Sequence, residues 1–231
     1  MKLVLLPGMD GTGELFDPFL ASISGSFEPI VVDYPPNESF GYERLEEVAR
    51  ANLPADGPYV LLAESFSGPI AISIAASVPK GLVALVLCCT FARSPSPRLS
   101  AMESIIRLVP AVRAPSFLAK YLLLGPDSDR SIQMQLNKVL EKVSPSVLKA
   151  RLLAALNVDV TSKLLKLTIP VLYLHATRDK IVPKSAGFDI LEHVPAAQMV
   201  EVDAPHFLLQ SSPSHAAGLV EGFVKRHASA L

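Results

Sequence analysis

The sequence predicts an α/β fold with a mainly parallel sheet, helices on both faces and a helical insertion between two of the later strands. Short apolar runs alternate with helix-like segments along the chain, the order found in right-handed strand–helix–strand crossovers. Several of these runs are continuous stretches of valine, leucine and isoleucine, typical of strands that are covered on both faces. The length of 231 residues suits one domain with a modest insertion.

The predicted elements follow one another regularly. Strands are expected at residues 2–6, 29–33, 59–63, 82–89, 171–175 and 199–202. Helices are expected at about 13–24, 42–51, 66–77 and 212–227. Because these elements alternate, the sheet is expected to carry helices on both of its sides.

Residues 92–167 interrupt this alternation. They contain no convincing strand pattern, and prolines at 95, 97, 110, 115, 126 and 145 divide them into short helical segments. Ser144 and Pro145 favour a helix start, with the serine as cap and the proline in the first turn. We expect an α/β core of residues 1–91 and 168–231 and a helical cap of residues 92–167. The alternative, an independent helical domain, is less favoured because short apolar helices need another surface to bury against.

The composition narrows the classes of protein. Half of the residues are hydrophobic and 19% are charged, which provides for a large buried core. A formal net charge of −1 leaves no basic surplus for nucleic acid or an anionic membrane. No apolar stretch approaches the roughly 20 residues of a membrane span, and the N-terminal run is too short for a signal peptide.

The two cysteines, Cys88 and Cys89, are adjacent in a predicted strand. Neighbouring strand residues point to opposite faces, so a disulfide between them is not expected. No metal-binding framework is recognisable either. A cytoplasmic protein in a reducing environment is the simplest interpretation.

Ser65 is the candidate nucleophile. It lies between the third strand and a helix, where a tight turn exposes the hydroxyl and the helix N-terminus supplies partial positive charge. Small residues flank it two positions on either side, Ala63 and Ser67, as in the nucleophile elbow G-x-S-x-G with both glycines replaced. Taken alone, this pattern fits a serine helix cap equally well.

A base and an acid follow in the order that this elbow requires. Asp179 comes after the fifth predicted strand and His206 after the sixth, so both lie at the sheet edge where ligands bind in such folds. The order serine, aspartate, histidine is typical of this architecture. His175 competes as the base, but it belongs to a strand and is expected to be packed. Asp203 is the alternative acid.

The loop after the first strand has three glycines in residues 8–13, which let backbone N–H groups approach a ligand. The N–H groups of Met9 and Phe66 are the predicted oxyanion hole. A phosphate-binding loop is the alternative, although the lysine and spacing of such loops are missing.

Asp10 is expected to organise this loop. Glu64 is expected to be a half-buried structural partner, although a role in tuning the site stays open.

Four motifs together resemble the α/β-hydrolase superfamily. They are Leu-Leu-Pro-Gly-Met-Asp-Gly-Thr-Gly at 5–13, Ala-Glu-Ser-Phe-Ser-Gly at 63–68, Thr-Arg-Asp-Lys-Ile-Val-Pro at 177–183 and Ala-Pro-His-Phe at 204–207. The chain is similar to small bacterial carboxylesterases with a helical cap. It begins at what would be the third strand of that family, which implies a six-stranded parallel sheet. It departs from the family pattern with Pro-Gly in place of His-Gly in the first loop and with alanine for an elbow glycine.

This resemblance and the residues predict hydrolysis of carboxylic esters with short-to-medium acyl chains. Ser65, His206 and Asp179 would act as a triad through an acyl-enzyme, with no metal and no organic cofactor. The expected partner is a small-molecule ester, and the oligomeric state stays open. Alternatives are an acyl thioesterase or C–C bond hydrolase with the same triad, a ligand-binding protein without catalysis and a nucleotide-binding α/β protein.

Overall fold

The sheet has six parallel strands, as predicted. This computed structural model describes residues 1–113, 115–126 and 128–228, and within them the strands are ordered β2-β1-β3-β4-β5-β6. Every neighbouring pair is parallel. The strands are β1 (Lys2–Leu6), β2 (Glu28–Val31), β3 (Tyr59–Glu64), β4 (Leu82–Cys88), β5 (Val171–Ala176) and β6 (Gln198–Val202).

Helices fill the connections. Two short 3-10 helices, Glu14–Phe16 and Ser65–Ser67, precede the first and third α-helices. The α-helices in the described residues are α1 (Asp17–Ser22), α2 (Tyr42–Ala51), α3 (Gly68–Ala76), α4 (Pro97–Ser100), α5 (Glu103–Leu108), α6 (Ser116–Leu123), α7 (Arg130–Lys142), α8 (Pro145–Asn157), α9 (Thr161–Leu164), α10 (Lys184–His193), α11 (Leu208–Ser211) and α12 (Pro213–Ala228).

The two faces of the sheet form separate cores, because successive side chains in a strand point to opposite sides. In β1, Leu3 and Leu5 pack with α1, α11 and α12 on one face. Val4 and Leu6 pack with α2, α3 and α10 on the other. Both sets of side chains are fully buried, which explains why the strands are continuous apolar runs. Helices on both faces were predicted correctly.

Two local predictions differ from the structure. The helix expected at 13–24 is a 3-10 turn followed by the short α1. Helix α10 was not predicted, since a glycine within its apolar pattern lowers helix propensity. That glycine, Gly187, lies against the ring of Tyr173, where a Cβ would be too close. The glycine therefore permits α10 to pack closely against β5.

The expected geometry of the cysteine pair is also wrong. Strand β4 ends at Cys88, and the backbone of Cys89 turns into the left-handed region with φ 48°. The two thiols therefore share one core and lie 4.0 Å apart rather than on opposite faces. Both cysteines are free and buried.

The chain between β4 and β5 contains helices α4 to α9 and, in its described residues, no strand, as the sequence predicts. Arg93 and Asp159 pair in an isolated antiparallel bridge where the segment leaves and rejoins the sheet. Ser144 caps α8 as predicted, its side chain accepting a hydrogen bond from the Val147 N–H. Among the described residues, no helix combines the length and apolar character that crossing a membrane requires.

Candidate active site

Ser65 occupies a strained turn at the carboxyl end of β3. Its φ of 49° lies in the left-handed region, which a side chain disfavours. Two hydrogen bonds hold the turn in place: the Thr90 hydroxyl donates to the Ser65 carbonyl, and the Tyr42 hydroxyl donates to the Phe66 carbonyl at 3.0 Å. A Cβ at Gly68 would overlap the Thr90 side chain, so the glycine permits the close approach of Thr90.

The three predicted triad residues form one chain of hydrogen bonds. Ser65 Oγ lies 2.8 Å from His206 Nε2, and His206 Nδ1 lies 2.7 Å from Asp179 Oδ2. The other carboxylate oxygen of Asp179 accepts from the N–H groups of Ile181 and Val182 at 2.8 and 2.9 Å. Both acceptor atoms of the acid are thus engaged, and the imidazole is oriented toward the serine.

The loops that carry Asp179 and His206 are tied to each other and to the segment between β4 and β5. The Arg178 N–H donates to the Ala204 carbonyl at 3.0 Å, which joins the loop after β5 to the loop after β6. The Phe207 N–H donates to the Leu123 carbonyl of α6 at 2.9 Å. The position of His206 is therefore fixed both by the sheet edge and by the segment between β4 and β5.

The structure separates the rival residues from Ser65. Asp203 is exposed, and its Oδ1 lies 2.7 Å from Arg178 Nε. Within the part of the chain that the structure describes, it makes no hydrogen bond to His206. His175 is buried in β5, and its Nδ1 has no hydrogen-bond partner there. Burial lowers the pKa of His175. Neither residue replaces Asp179 or His206 in the hydrogen-bond chain.

The glycine loop after β1 is rigidly organised. The Asp10 carboxylate accepts from the N–H and the hydroxyl of Thr12, each at 2.9 Å, and the Gly8 carbonyl accepts from the Gly11 N–H at 3.1 Å. From the elbow, the Ser67 hydroxyl donates to the Pro7 carbonyl. The sequence could not show that this loop and the elbow are joined directly.

Arg151 is a residue of the site that the sequence analysis missed. It comes from α8, is fully buried, and donates to the carbonyls of Met9, Asp10 and Pro35 at 2.9, 2.7 and 3.0 Å. Burial lowers the pKa of its guanidinium. Arg151 lies four residues from both Val147 and Ala155, so it shares the buried face of α8 with them. A positively charged residue on an otherwise apolar helix face was the signal in the sequence that could have identified it.

Glu64 is a second buried charge-bearing group beside the turn. Burial raises the pKa of its carboxyl to about 8, an effect that nearby Asp10 increases and a hydrogen bond from Gln210 opposes. The Gln210 amide donates to it at 3.2 Å. Glu64 is only 2% exposed, so it is more deeply buried than the half-burial expected from the sequence.

One group of described residues has the donor atoms of a metal site: Cys89, Asp179 and His206, with candidate ligand atoms within 4.8 Å of one another. The same Asp179 and His206 atoms already face each other in a hydrogen bond. A metal ion here would have to displace that bond, so this arrangement suits proton transfer better than metal coordination.

A cavity of about 560 Å³ opens onto Ser65 and His206. Met9 and Asp10 also line it. The rest of the wall comes mainly from apolar side chains of the insertion, among them Ile106, Leu136, Leu140, Leu148 and Leu152. The cavity is therefore mainly apolar and reaches the serine hydroxyl.

The chain matches the alpha/beta hydrolase family over residues 3–217. It belongs to this family. The hydrolase is 27% identical to a pimeloyl-[acyl-carrier protein] methyl ester esterase of Neisseria meningitidis, covering 97% of this chain and 93% of the relative. A Vibrio parahaemolyticus protein of the same name is 28% identical, over 85% of this chain and 83% of its own.

Solved structures agree on the fold of this hydrolase. The enol-lactonase of Burkholderia xenovorans LB400 superposes with a TM-score of 0.81 at 17% identity, covering 97% of this chain and 91% of the lactonase. Together with the family match over residues 3–217, this confirms the predicted resemblance to the α/β-hydrolases. The relatives named as esterases support a hydrolase enzyme that acts on esters, as the sequence predicts.

Proposed function

We propose that this hydrolase cleaves carboxylic esters through an acyl-enzyme, with Ser65 as nucleophile, His206 as general base and Asp179 as the group that orients the imidazole. The observation that carries the proposal is the unbroken chain of hydrogen bonds, 2.8 Å from Ser65 to His206 and 2.7 Å from His206 to Asp179. A nucleophile, a base and an orienting acid in contact form the constellation that activates a serine hydroxyl.

The reaction follows from this geometry. Ser65 Oγ attacks the ester carbonyl as its proton moves to His206 Nε2, and Asp179 stabilises the imidazolium through Nδ1. The N–H groups of Met9 and Phe66 donate to the oxyanion. The protonated His206 then gives its proton to the departing alcohol. A water molecule, deprotonated by His206, attacks the acyl-enzyme; the bond to Ser65 Oγ breaks, His206 returns the proton to Oγ, and the carboxylic acid is released.

The cavity supports a short-to-medium apolar acyl chain. Its walls are mainly leucine, isoleucine, valine and methionine side chains, which favour methylene groups over charges. Because residues of α5, α7 and α8 line it together with Ser65 and His206, we also propose that residues 92–167 act as a cap over the α/β core. The free, buried thiols fit a reducing, cytoplasmic location.

A second candidate substrate is an acyl ester presented on an acidic carrier protein. Apart from the buried Arg151, residues 92–167 contain eleven lysines and arginines but five aspartates and glutamates, whereas the whole chain has a net charge of −1. Arg113 and Lys149 line the cavity itself. Such a basic surface attracts an acidic partner, and the curated relatives are named for a carrier-linked methyl ester. A higher kcat/KM on the carrier-linked methyl ester than on the free one, lost at high salt, is expected in this case.

The test of the main proposal is Ser65→Ala against wild type on p-nitrophenyl esters of increasing acyl length. We expect kcat to fall at least about a thousandfold, because triad members act as a unit. The exposed Ser211 provides a control, since Ser211→Ala should keep full activity. A folded Ser65→Ala protein that retains most of the activity would show that Ser65 is not the nucleophile. The same series on acyl thioesters separates an esterase from a thioesterase.

Labelling with a fluorophosphonate distinguishes the enzyme from a ligand-binding protein with the same fold. Wild-type protein should be labelled on Ser65, and His206→Ala should lose most of the labelling rate because the hydroxyl then has no base. Folded wild-type protein that does not react would favour the binding function.

A further inference from the structure

We propose that Arg151 is a positioning residue that aims the Met9 N–H at the reacting carbonyl. The inference rests on the proposed ester hydrolysis and goes beyond the triad, because Arg151 touches neither Ser65 nor the substrate cavity. It assigns a function in catalysis to a side chain of the insertion.

The guanidinium of Arg151 bridges two loops. Its Nη1 donates to the carbonyls of Met9 and Asp10, at 2.9 and 2.7 Å, and its Nη2 donates to the carbonyl of Pro35 at 3.0 Å. A guanidinium is planar and its donors keep a fixed geometry. The two consecutive carbonyls after β1 are therefore held in place relative to the loop after β2.

This constraint reaches the Met9 N–H through two rigid peptide planes. The carbonyl of Asp10 and the N–H of Gly11 belong to one planar peptide. The Gly11 N–H donates to the carbonyl of Gly8 at 3.1 Å. That carbonyl and the Met9 N–H belong to a second planar peptide, the one that joins Gly8 to Met9. Because the two groups of a trans peptide point in opposite directions, fixing the Gly8 carbonyl fixes the direction of the Met9 N–H.

Gly11 leaves the space that the guanidinium of Arg151 occupies. Its φ of +74° is in the region that favours glycine, and a Cβ there would collide with the guanidinium of Arg151. The arginine can thus reach two carbonyls of the loop because residue 11 has no side chain.

The chemistry of the contact argues against a role in stability alone. Arg151 is fully buried, and its hydrogen bonds go to neutral carbonyls and not to a carboxylate. Burying a cation without an ionic partner in hydrogen-bond contact is unfavourable, and an apolar side chain of similar length would avoid that penalty. What an apolar side chain cannot do is fix the orientation of the loop carbonyls.

Helix α8 also connects this contact to the substrate. Leu148 and Leu152, on either side of Arg151 in the sequence, line the cavity. A displacement of α8 would therefore move the acyl-binding wall and the oxyanion loop together. We expect an acyl chain that packs well against α8 to favour the productive loop position.

The experiment compares Arg151→Met, Arg151→Lys and the control Arg130→Met, an exposed arginine of the same segment at the start of α7. The assays are kcat and KM on p-nitrophenyl butyrate, and affinity for a trifluoromethyl ketone, whose adduct with Ser65 carries an oxyanion. Folding is checked by circular dichroism and thermal unfolding. In Arg151→Met we expect kcat and ketone affinity to fall about ten- to a hundredfold, with KM within about twofold. Arg151→Lys, with one ammonium to serve the carbonyls, should be intermediate.

Two results would overturn the proposal. One is a folded Arg151→Met protein with kcat and ketone affinity within about twofold of wild type. The other is an equal loss in kcat and in the folded fraction, which indicates a structural role only. If Arg151→Met does not fold, Arg151→Lys decides between the same outcomes. Failure of the ester-hydrolase proposal is separate, since it would appear as activity in Ser65→Ala whatever residue 151 is.

Discussion

The hydroxyl groups of Tyr34 and Ser67 lie 2.9 Å apart in the buried interior beside the Ser65 turn. Ser67 uses its single proton to donate to the Pro7 carbonyl, so Tyr34 is the donor in the pair. Burial raises the pKa of the Tyr34 phenol, which keeps this donor protonated. The serine that replaces a glycine of the elbow motif therefore links the loops after β1, β2 and β3.

Restoring the formal glycine should weaken the enzyme. Ser67→Gly removes the hydrogen bonds to Pro7 and Tyr34, and it leaves two buried polar groups without this partner. We expect the free energy of unfolding to fall by about 1–3 kcal/mol and kcat to fall with it, because the loop after β1 loses its tie to the elbow. Denaturant unfolding and p-nitrophenyl ester kinetics measure the two effects.

Tyr34→Phe provides the matched comparison, since it removes one bond and leaves the Ser67–Pro7 bond intact. Its loss should be smaller than that of Ser67→Gly, and a double-mutant cycle should show coupling between the two positions. Additive effects of the two substitutions would contradict the linkage described here.

The choice of acid gives a second prediction. Asp179→Asn should lower kcat by about four orders of magnitude with little change in KM, because an amide favours the wrong imidazole tautomer. Asp203→Asn is the control. Its carboxylate is 82% exposed and pairs with Arg178 at the surface, so activity should stay within about twofold. Steady-state kinetics of the two purified variants test both statements, and comparable losses would mean that the acid was assigned incorrectly.

The sequence was sufficient to predict that Ser65, Asp179 and His206 lie together, because parallel strands bring their carboxyl ends to one edge. Ser65, Asp179 and His206 each follow a recognisable apolar strand, so their proximity follows from topology. The structure then adds the distances that the strand order cannot supply.

The residues that support the site could not be predicted in this way. Thr90 and Arg151 donate to backbone carbonyls that are 25 and 141 residues distant. Tyr34 bonds the hydroxyl of Ser67, 33 residues away, and Ser67 in turn donates to a carbonyl 60 residues away. Such contacts leave no periodic pattern in the sequence. Arg151 additionally interrupts a helix face that otherwise indicates only packing, which is why α8 was predicted correctly and the contacts of its arginine were not.

The third prediction concerns stability and pH. The pKa of Glu64 is raised from an ordinary value of 4.5 to about 8 in the folded protein, so the folded state keeps a proton that the unfolded chain releases. The contribution of Glu64 to the free energy of unfolding is therefore complete below about pH 4.5. It decreases as the pH rises from there and is lost as the pH passes through 8. Glu64→Gln stays neutral and should remove this loss.

Melting temperatures of wild type and Glu64→Gln from pH 5 to pH 9 test the prediction. The difference between them should move in favour of the variant as the pH rises, while the exposed Glu38→Gln should follow wild type throughout. A pH-independent difference between wild type and Glu64→Gln would mean that the carboxyl is ionised in the folded protein across this range.

The fourth prediction tests whether the cavity holds the acyl chain. In wild type, each methylene that enters the cavity can raise kcat/KM by up to about fourfold, from about 0.8 kcal/mol per buried CH₂. Leu148 lines the cavity, and Leu148→Trp should fill part of it. We expect kcat/KM to fall more than tenfold for decanoyl and dodecanoyl esters and to change little for acetyl and butyryl esters.

The control is Leu165→Trp, at a leucine that is 72% exposed and outside the cavity lining, and its chain-length profile should match wild type. A uniform loss of Leu148→Trp activity at every chain length would instead place the acyl chain outside this cavity, because a steric block at the wall must discriminate by length.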